Sequence, residues 1–218
     1  MRNKFDRELE DLNLELVQMG GMIETAISKT MTAMKQNDTA LAQQVIDEEM
    51  DVNKAELSIE RRSLRILLSE QPVARDLRAI STALKMITDM ERICDQASDI
   101  ADIVIQLDHD GMTEKPEHIM TMAQKCVAMV TRSIDAFVNS NLELAKQIAQ
   151  DDDEVDALFL KVRDEITSYI MRHPEKSKHA LDYFMIAKYL ERIGDHAENI
   201  SEWVVFNIVG YHKDERIL

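Results

Sequence analysis

One stretch of this chain occurs twice. ERICDQASDIAD at 91–102 recurs as ERIGDHAENISE at 191–202, an offset of 100, with six of twelve positions identical and the pairs Asp99/Asn199 and Asp102/Glu202 conservatively exchanged. A weaker echo joins EEMDVN at 48–53 to DDEVD at 152–156 when Val52 is set against Val155. Repetition at this spacing constrains the fold more than any other feature, because each copy has to form a similar supersecondary unit and bury a similar face. The chain reads as a tandem duplication.

The units are helical. Five Gly and three Pro punctuate 218 residues, aromatics are 5%, and helix-favouring residues fill most of the rest. Breakers cluster at Asn37-Asp38, Glu70-Gln71-Pro72 and Asp108 to Pro116 (with Gly111), then again at Asn139-Ser140-Asn141, His173-Pro174 to Ser177, and Gly210. Three helices of about 30 residues, each ~45 Å long, are expected before residue 110 and three more after it. Along 84–104 the apolar residues Leu84, Met86, Ile87, Met90, Ile93, Ala97, Ile100, Ala101 and Val104 lay one stripe down a helix. The expected architecture is all-α, two tandem antiparallel three-helix bundles, residues 1–109 and 110–218.

Charge narrows the partners. With 26 Lys+Arg against 41 Asp+Glu the net charge is −15, so nucleic acid and an anionic bilayer surface are repelled by the overall field. At 45% hydrophobic residues the chain has enough to bury to avoid disorder. Cys94 and Cys126 have no CxxC or Cys/His spacing around them and read as reduced, semi-buried residues. The charged opening MRNKFDRELEDLNLEL is no signal peptide, and no run reaches ~20 apolar residues, so a cytoplasmic location is expected.

The repeated motif carries carboxylates at one-turn spacing. Glu91, Asp95 and Asp99 share one helix face, as do Glu191, Asp195 and Asn199, roughly opposite the apolar stripe. Glu49 and Asn53 on the second helix, and Asp152 and Asp156 on the fifth, form pairs at corresponding places in the two halves. Like charges at i,i+4 repel by a few tenths of a kcal/mol. Water and salt compensate such a face on many exposed helices; the other compensation is a cation, and oxygen donors without His or Cys partners suit Mg²⁺, Mn²⁺, Ca²⁺ or oxygen-ligated iron rather than zinc.

Neighbouring residues read more plainly. Arg92 and Arg192 are expected in surface ion pairs rather than as phosphate ligands, and His196 as a solvated side chain. Gly194, matched by Cys94, costs about 1 kcal/mol in mid-helix unless a close approach needs a small residue there. Most of the fourteen Met fall in apolar stripes. GxxxxGK[ST], GxGxxG, HExxH and GxSxG are missing from the sequence, so no enzymatic signature stands out, and without a Gly-rich loop or clustered basic pocket phosphate itself is not expected to bind.

Together the two ERI-[small]-D-x-A-x-x-I units, the acidic pairs on the second helices, Met-Gly-Gly-Met at 19–22 and Pro-x-x-x-Asp-Leu-Arg at 72–78 resemble the PhoU family of phosphate-signalling regulators, from about residue 8 to 210. The resemblance implies two three-helix bundles side by side, each with a surface metal cluster, often multinuclear, held by E(D)xxxD motifs. Carried over, these are Glu49/Asn53 with Glu91, Asp95 and Asp99, and Asp152/Asp156 with Glu191, Asp195 and Asn199. It further implies a cytosolic negative regulator, commonly homodimeric, that links the ATPase of the high-affinity phosphate ABC transporter to a sensor histidine kinase and meets the membrane only through those partners. Asn53 and Asn199 stand where the family has carboxylates, Cys94 where it has Gly, and Asp76-Leu77-Arg78 has no counterpart in 178–184. Two other readings share the helical-repeat logic: an accessory subunit of another phosphate or metal transporter, and a metal-storage or di-iron carboxylate bundle, although the Glu-x-x-His of di-iron sites is missing at Glu191.

Overall fold

In the computed structural model all residues are described except 1, 71, 73, 108–114, 213–214 and 217–218. Six helices carry the chain: α1 (Arg2–Gln36), α2 (Thr39–Glu70), α3 (Ala74–Gln106), α4 (Ile119–Val138), α5 (Leu142–Arg172) and α6 (Ser177–Val209). A 3-10 turn at Pro174–Lys176 precedes α6, and two-residue strands β1 (Tyr211–His212) and β2 (Glu215–Arg216) pair antiparallel after it. This small hairpin was not expected, and α4, at 20 residues, is shorter than the expected length. The Gly111 break and the expected boundary between residues 109 and 110 lie outside the described residues.

The turns inside the two halves use the same chemistry. Asn37 takes a left-handed backbone (φ 55°) to end α1, and the Asp38 carboxylate accepts the Leu41 N–H at 3.0 Å to start α2. Ser140 (φ 47°) and Asn141, which accepts from Leu144 N–H at 3.1 Å, do the same between α4 and α5. Each pair stops one helix and caps the next.

Helices α1–α3 pack as one bundle and α4–α6 as the other, and the bundles join where α3 lies along α6 and α1 meets α4. Gly20 makes the second junction possible, since a Cβ there would stand 2.9 Å from Ile134 Cγ2. Helix α3 is buried beyond its predicted stripe, at Cys94, Gln96 and Ser98 as well as Ile93, Ala97 and Ile100, because it meets α1, α2 and α6 at once. Cys94 and Cys126 are fully buried rather than semi-buried, and burial pushes the Cys94 thiol up to about 12. Thr82 Oγ1 donates to Trp203 O (3.5 Å) across the α3–α6 seam, which places residue 82 beside 203 and 89 beside 196, so the two helices run antiparallel. Among the described residues no helix is long and apolar enough to cross a membrane.

Candidate metal centres on two acidic helix faces

Part of each predicted acidic set faces the space between the second and third helices of its bundle. In the second half, α5 supplies Asp152 and Asp156 from one face and α6 supplies Asp195; one carboxylate oxygen of each lies within 4.8 Å of the others. Asp152 Oδ1 is buried with no hydrogen-bond partner. It lies over Gly194, where a Cβ would stand 3.0 Å from it and 3.4 Å from Val155 Cγ1, so the small residue is there to admit the carboxylate. Burial, followed by Glu198, Asp195, Asp156 and Asp153, pushes Asp152 up to about 7. Desolvation, then Glu191 and Asp156, also raises Asp195.

A buried carboxylate oxygen without a hydrogen-bond donor is costly, and the carboxylates of Asp156 and Asp195 converge on that of Asp152. The donor set is hard and anionic, which fits Mg²⁺, Mn²⁺ or oxygen-ligated iron, so the implied metal fits this face.

The first half places the same residue types differently. Glu49 on α2 faces Glu91, Asp95 and Asp99 on α3, and desolvation raises all three, with Asp95 acting next on Glu91 and on Asp99, and Glu49 next on Asp95. Yet Arg92 reaches across the set, 3.0 Å from Asp95 Oδ2 and 3.3 Å from Glu91 Oε2. Among the described residues no three carboxylates of this face converge as Asp152, Asp156 and Asp195 do. Asn53 is exposed.

Two predicted residues of the second set turn elsewhere. Glu191 pairs with Lys188 on its own helix. Asn199 donates to Asp89 Oδ1 on α3 (3.4 Å), the same oxygen that lies 2.9 Å from His196 Nδ1. His196 is therefore a part-buried tie between the halves rather than the solvated side chain expected from the sequence. Arg92 forms the expected ion pairs, whereas the charge of Arg192 acts on Asp95 and Asp99 of the other half.

Three groups escaped the sequence reading. Glu198, three residues after Asp195, acts on Asp152, and Glu56, seven after Glu49, acts on Glu91. Helical spacing signals both, but neither has a carboxylate in the other repeat: Ser98 and Phe159 stand there. The third is Glu117, His118 and Glu165, whose donor atoms also converge. Glu165 pairs with the His118 ring and accepts its backbone N–H (3.4 Å), so this group caps the start of α4.

The description "PhoU domain" fits the chain twice, over residues 16–104 and 119–204, one match per bundle. The chain belongs to the PhoU family. The phosphate-specific transport system accessory protein PhoU homolog of Clostridium acetobutylicum is 33% identical over 214 residues, covering 98% of each chain, and that of Pseudomonas aeruginosa is 36% identical over 211 residues, 95% of this chain and 86% of the relative. Among solved structures, PhoU from Pseudomonas aeruginosa superposes with a TM-score of 0.92 at 35% identity (95% of this chain, all of that one). The phosphate transport system regulatory protein PhoU from Streptococcus pneumoniae gives 0.89 at 27% identity, 97% of this chain and all of that one. Two tandem PhoU bundles are thus the architecture of this chain, as the repeat implied.

Proposed function

We propose that this chain is a non-enzymatic, cytoplasmic, homodimeric negative regulator of the phosphate-starvation response, coupling the ATPase of a high-affinity phosphate ABC transporter to a sensor histidine kinase, with divalent or trivalent metal on its acidic helix faces. The names of its relatives, accessory and regulatory proteins of phosphate transport systems, support the transport side of this reading. The observation that carries the metal side is the convergence of Asp152, Asp156 and Asp195 around an oxygen with no donor.

On the second face Asp152 and Asp156 from α5 and Asp195 from α6 would hold the ion, with Glu198 adding negative potential beside them. On the first, Glu49, Glu91 and Asp95 would hold it, with Asp99 and Glu56 adding potential, against competition from Arg92. A bound cation supplies positive charge to a face where carboxylates otherwise repel. The carboxylates then tie α5 to α6, or α2 to α3, and present a less anionic surface from a chain of net charge −15.

Deleting the gene should derepress phosphate-starvation genes in phosphate-replete medium; unchanged expression overturns the regulatory reading. Elemental analysis of protein purified without chelator should find metal in the wild type and none in Glu91→Ala/Asp95→Ala/Glu191→Ala/Asp195→Ala, with helical circular dichroism retained. A metal-free wild type at cytosolic Mg²⁺ and Mn²⁺ concentrations would leave the faces as solvated surface or partner contacts.

A further inference from the structure

Helices α2 and α5 form the outer flanks of the molecule, α2 packed on α1 and α3, α5 packed on α4 and α6. Their outer faces correspond through the offset of 103 that aligns Val52 with Val155, but they differ in chemistry. On α2, Lys54, Leu57, Arg61, Leu64 and Leu68 follow spacings of three and four along one exposed line about 21 Å long. The three leucines are 42%, 46% and 88% exposed. That spacing is the seam of a helix pair, in which alternate side chains meet a second helix. The counterparts on α5 are Ala157, Leu160, Asp164, Thr167 and Met171, so the cation Arg61 is replaced by an acid.

Cations gather on the α2 flank in a chain of net charge −15. Lys54, Leu57, Ser58, Arg61, Arg62 and Arg65 line a shallow hollow of about 400 Å³. Helix α2 already holds one acidic helix in this way: Arg62, beside Arg61, donates to Glu15 (2.8 and 3.0 Å), Glu8 (2.9 Å) and Asp11 (3.3 Å), acids spaced three and four apart on α1. Lys54 is held at 2.8 Å by Asp51, an exposed pair that a partner carboxylate can exchange. Asp51 and Glu60 flank the strip, which disfavours an anionic bilayer and leaves a helix that can alternate charge with it as the matching occupant.

We propose that the outer face of α2 docks an acidic, leucine-bearing amphipathic helix of a partner protein, its apolar residues seated on Leu57, Leu64 and Leu68 and its carboxylates on Lys54 and Arg61. The inference rests on the regulatory reading and names the surface where a partner protein meets the chain. The probe is a labelled synthetic three-heptad peptide with Leu at the seam positions and Glu beside them, titrated against the full-length protein. It should bind wild type and lose about tenfold or more in affinity, with a steep salt dependence, on Lys54→Glu/Arg61→Glu and on Leu64→Ser/Leu68→Ser. Asp164→Ala on the opposite flank should leave binding unchanged, as should the circular dichroism of every variant. Equal binding by the α2 variants, or binding of a peptide with Lys in place of Glu, overturns the proposal. So does binding to phosphatidylglycerol vesicles without binding to the acidic peptide, which would make the strip a membrane surface. A deletion strain that stays repressed overturns the regulatory reading instead and leaves the peptide result standing.

Discussion

On the second acidic face a glycine lies under the carboxylate of Asp152; at the same register of the first face stands Cys94, fully buried, with Glu49 opposite. The two faces share a motif, yet two positions separate them: Cys94 stands where the second face has Gly194, and the amide Asn53 stands where it has the carboxylate Asp156. Without a Cβ at 194 the α5 carboxylate enters the groove and meets Asp156 and Asp195, leaving an oxygen without a donor. On the first face a thiol stands at 94, an amide stands at 53, and Arg92 takes up the carboxylates of Glu91 and Asp95. Similar ligand lists thus give one face poised for a cation and one already partly neutralised by an internal cation. Three differences, the side chain at 94, the amide Asn53 in place of Asp156 and the arginine paired with Glu91 and Asp95, set what each face presents.

The largest break in this comparison should come from the convergent carboxylates. Asp152→Asn/Asp195→Asn should weaken Mn²⁺ binding roughly a hundredfold or more by calorimetry. Glu49→Gln/Asp95→Asn should remove only a weaker phase. Exchanging the floor residues comes next: Gly194→Cys should displace Asp152 and weaken the tight phase about tenfold. The reverse change, Cys94→Gly, should lower unfolding free energy in urea by about 1–3 kcal/mol, through a glycine in mid-helix and the cavity left by the thiol. Arg92→Ala should strengthen binding at the first face by a few-fold, and its exposed pairs should cost less than about 1 kcal/mol of stability.

A separate effect is on pH dependence. Asp152 titrates near 7 in the fold against an ordinary value of 3.8, so between those values the folded protein holds a proton that the unfolded chain has lost. Stability from this group is complete below about pH 4 and declines as pH rises through 7. The metal-free protein should therefore lose melting temperature over that window, and Asp152→Asn should flatten the slope. Metal needs the deprotonated carboxylate, so affinity at the second face should rise with pH across the same range.

Helix boundaries were legible because their causes are local. Asn37-Asp38 and Ser140-Asn141 stop and start helices with their own backbone and side chains, and the breaks read from them match α1, α2, α4 and α5. The acidic faces were legible because spacing along a helix fixes which side chains share a side. What lay beyond reading depends on the neighbour across a seam. His196 and Asn199 look like members of the acidic motif, but α3 brings Asp89 against them. Glu198 has no echo in the first repeat, and becomes part of the site through its action on Asp152 of α5. The outward line of basic and leucine residues on α2 emerged only with the structure, because its exposure follows from which helices α2 packs against.

By itself the sequence determined the helices, their punctuation, the duplication and which acids share one side of a helix, because backbone propensity, capping and the 3.6-residue period act within a single helix. The tertiary structure decided which carboxylates meet, which are neutralised by an arginine and which reach across between bundles, because burial and charge coupling depend on the distance between helices far apart in the chain.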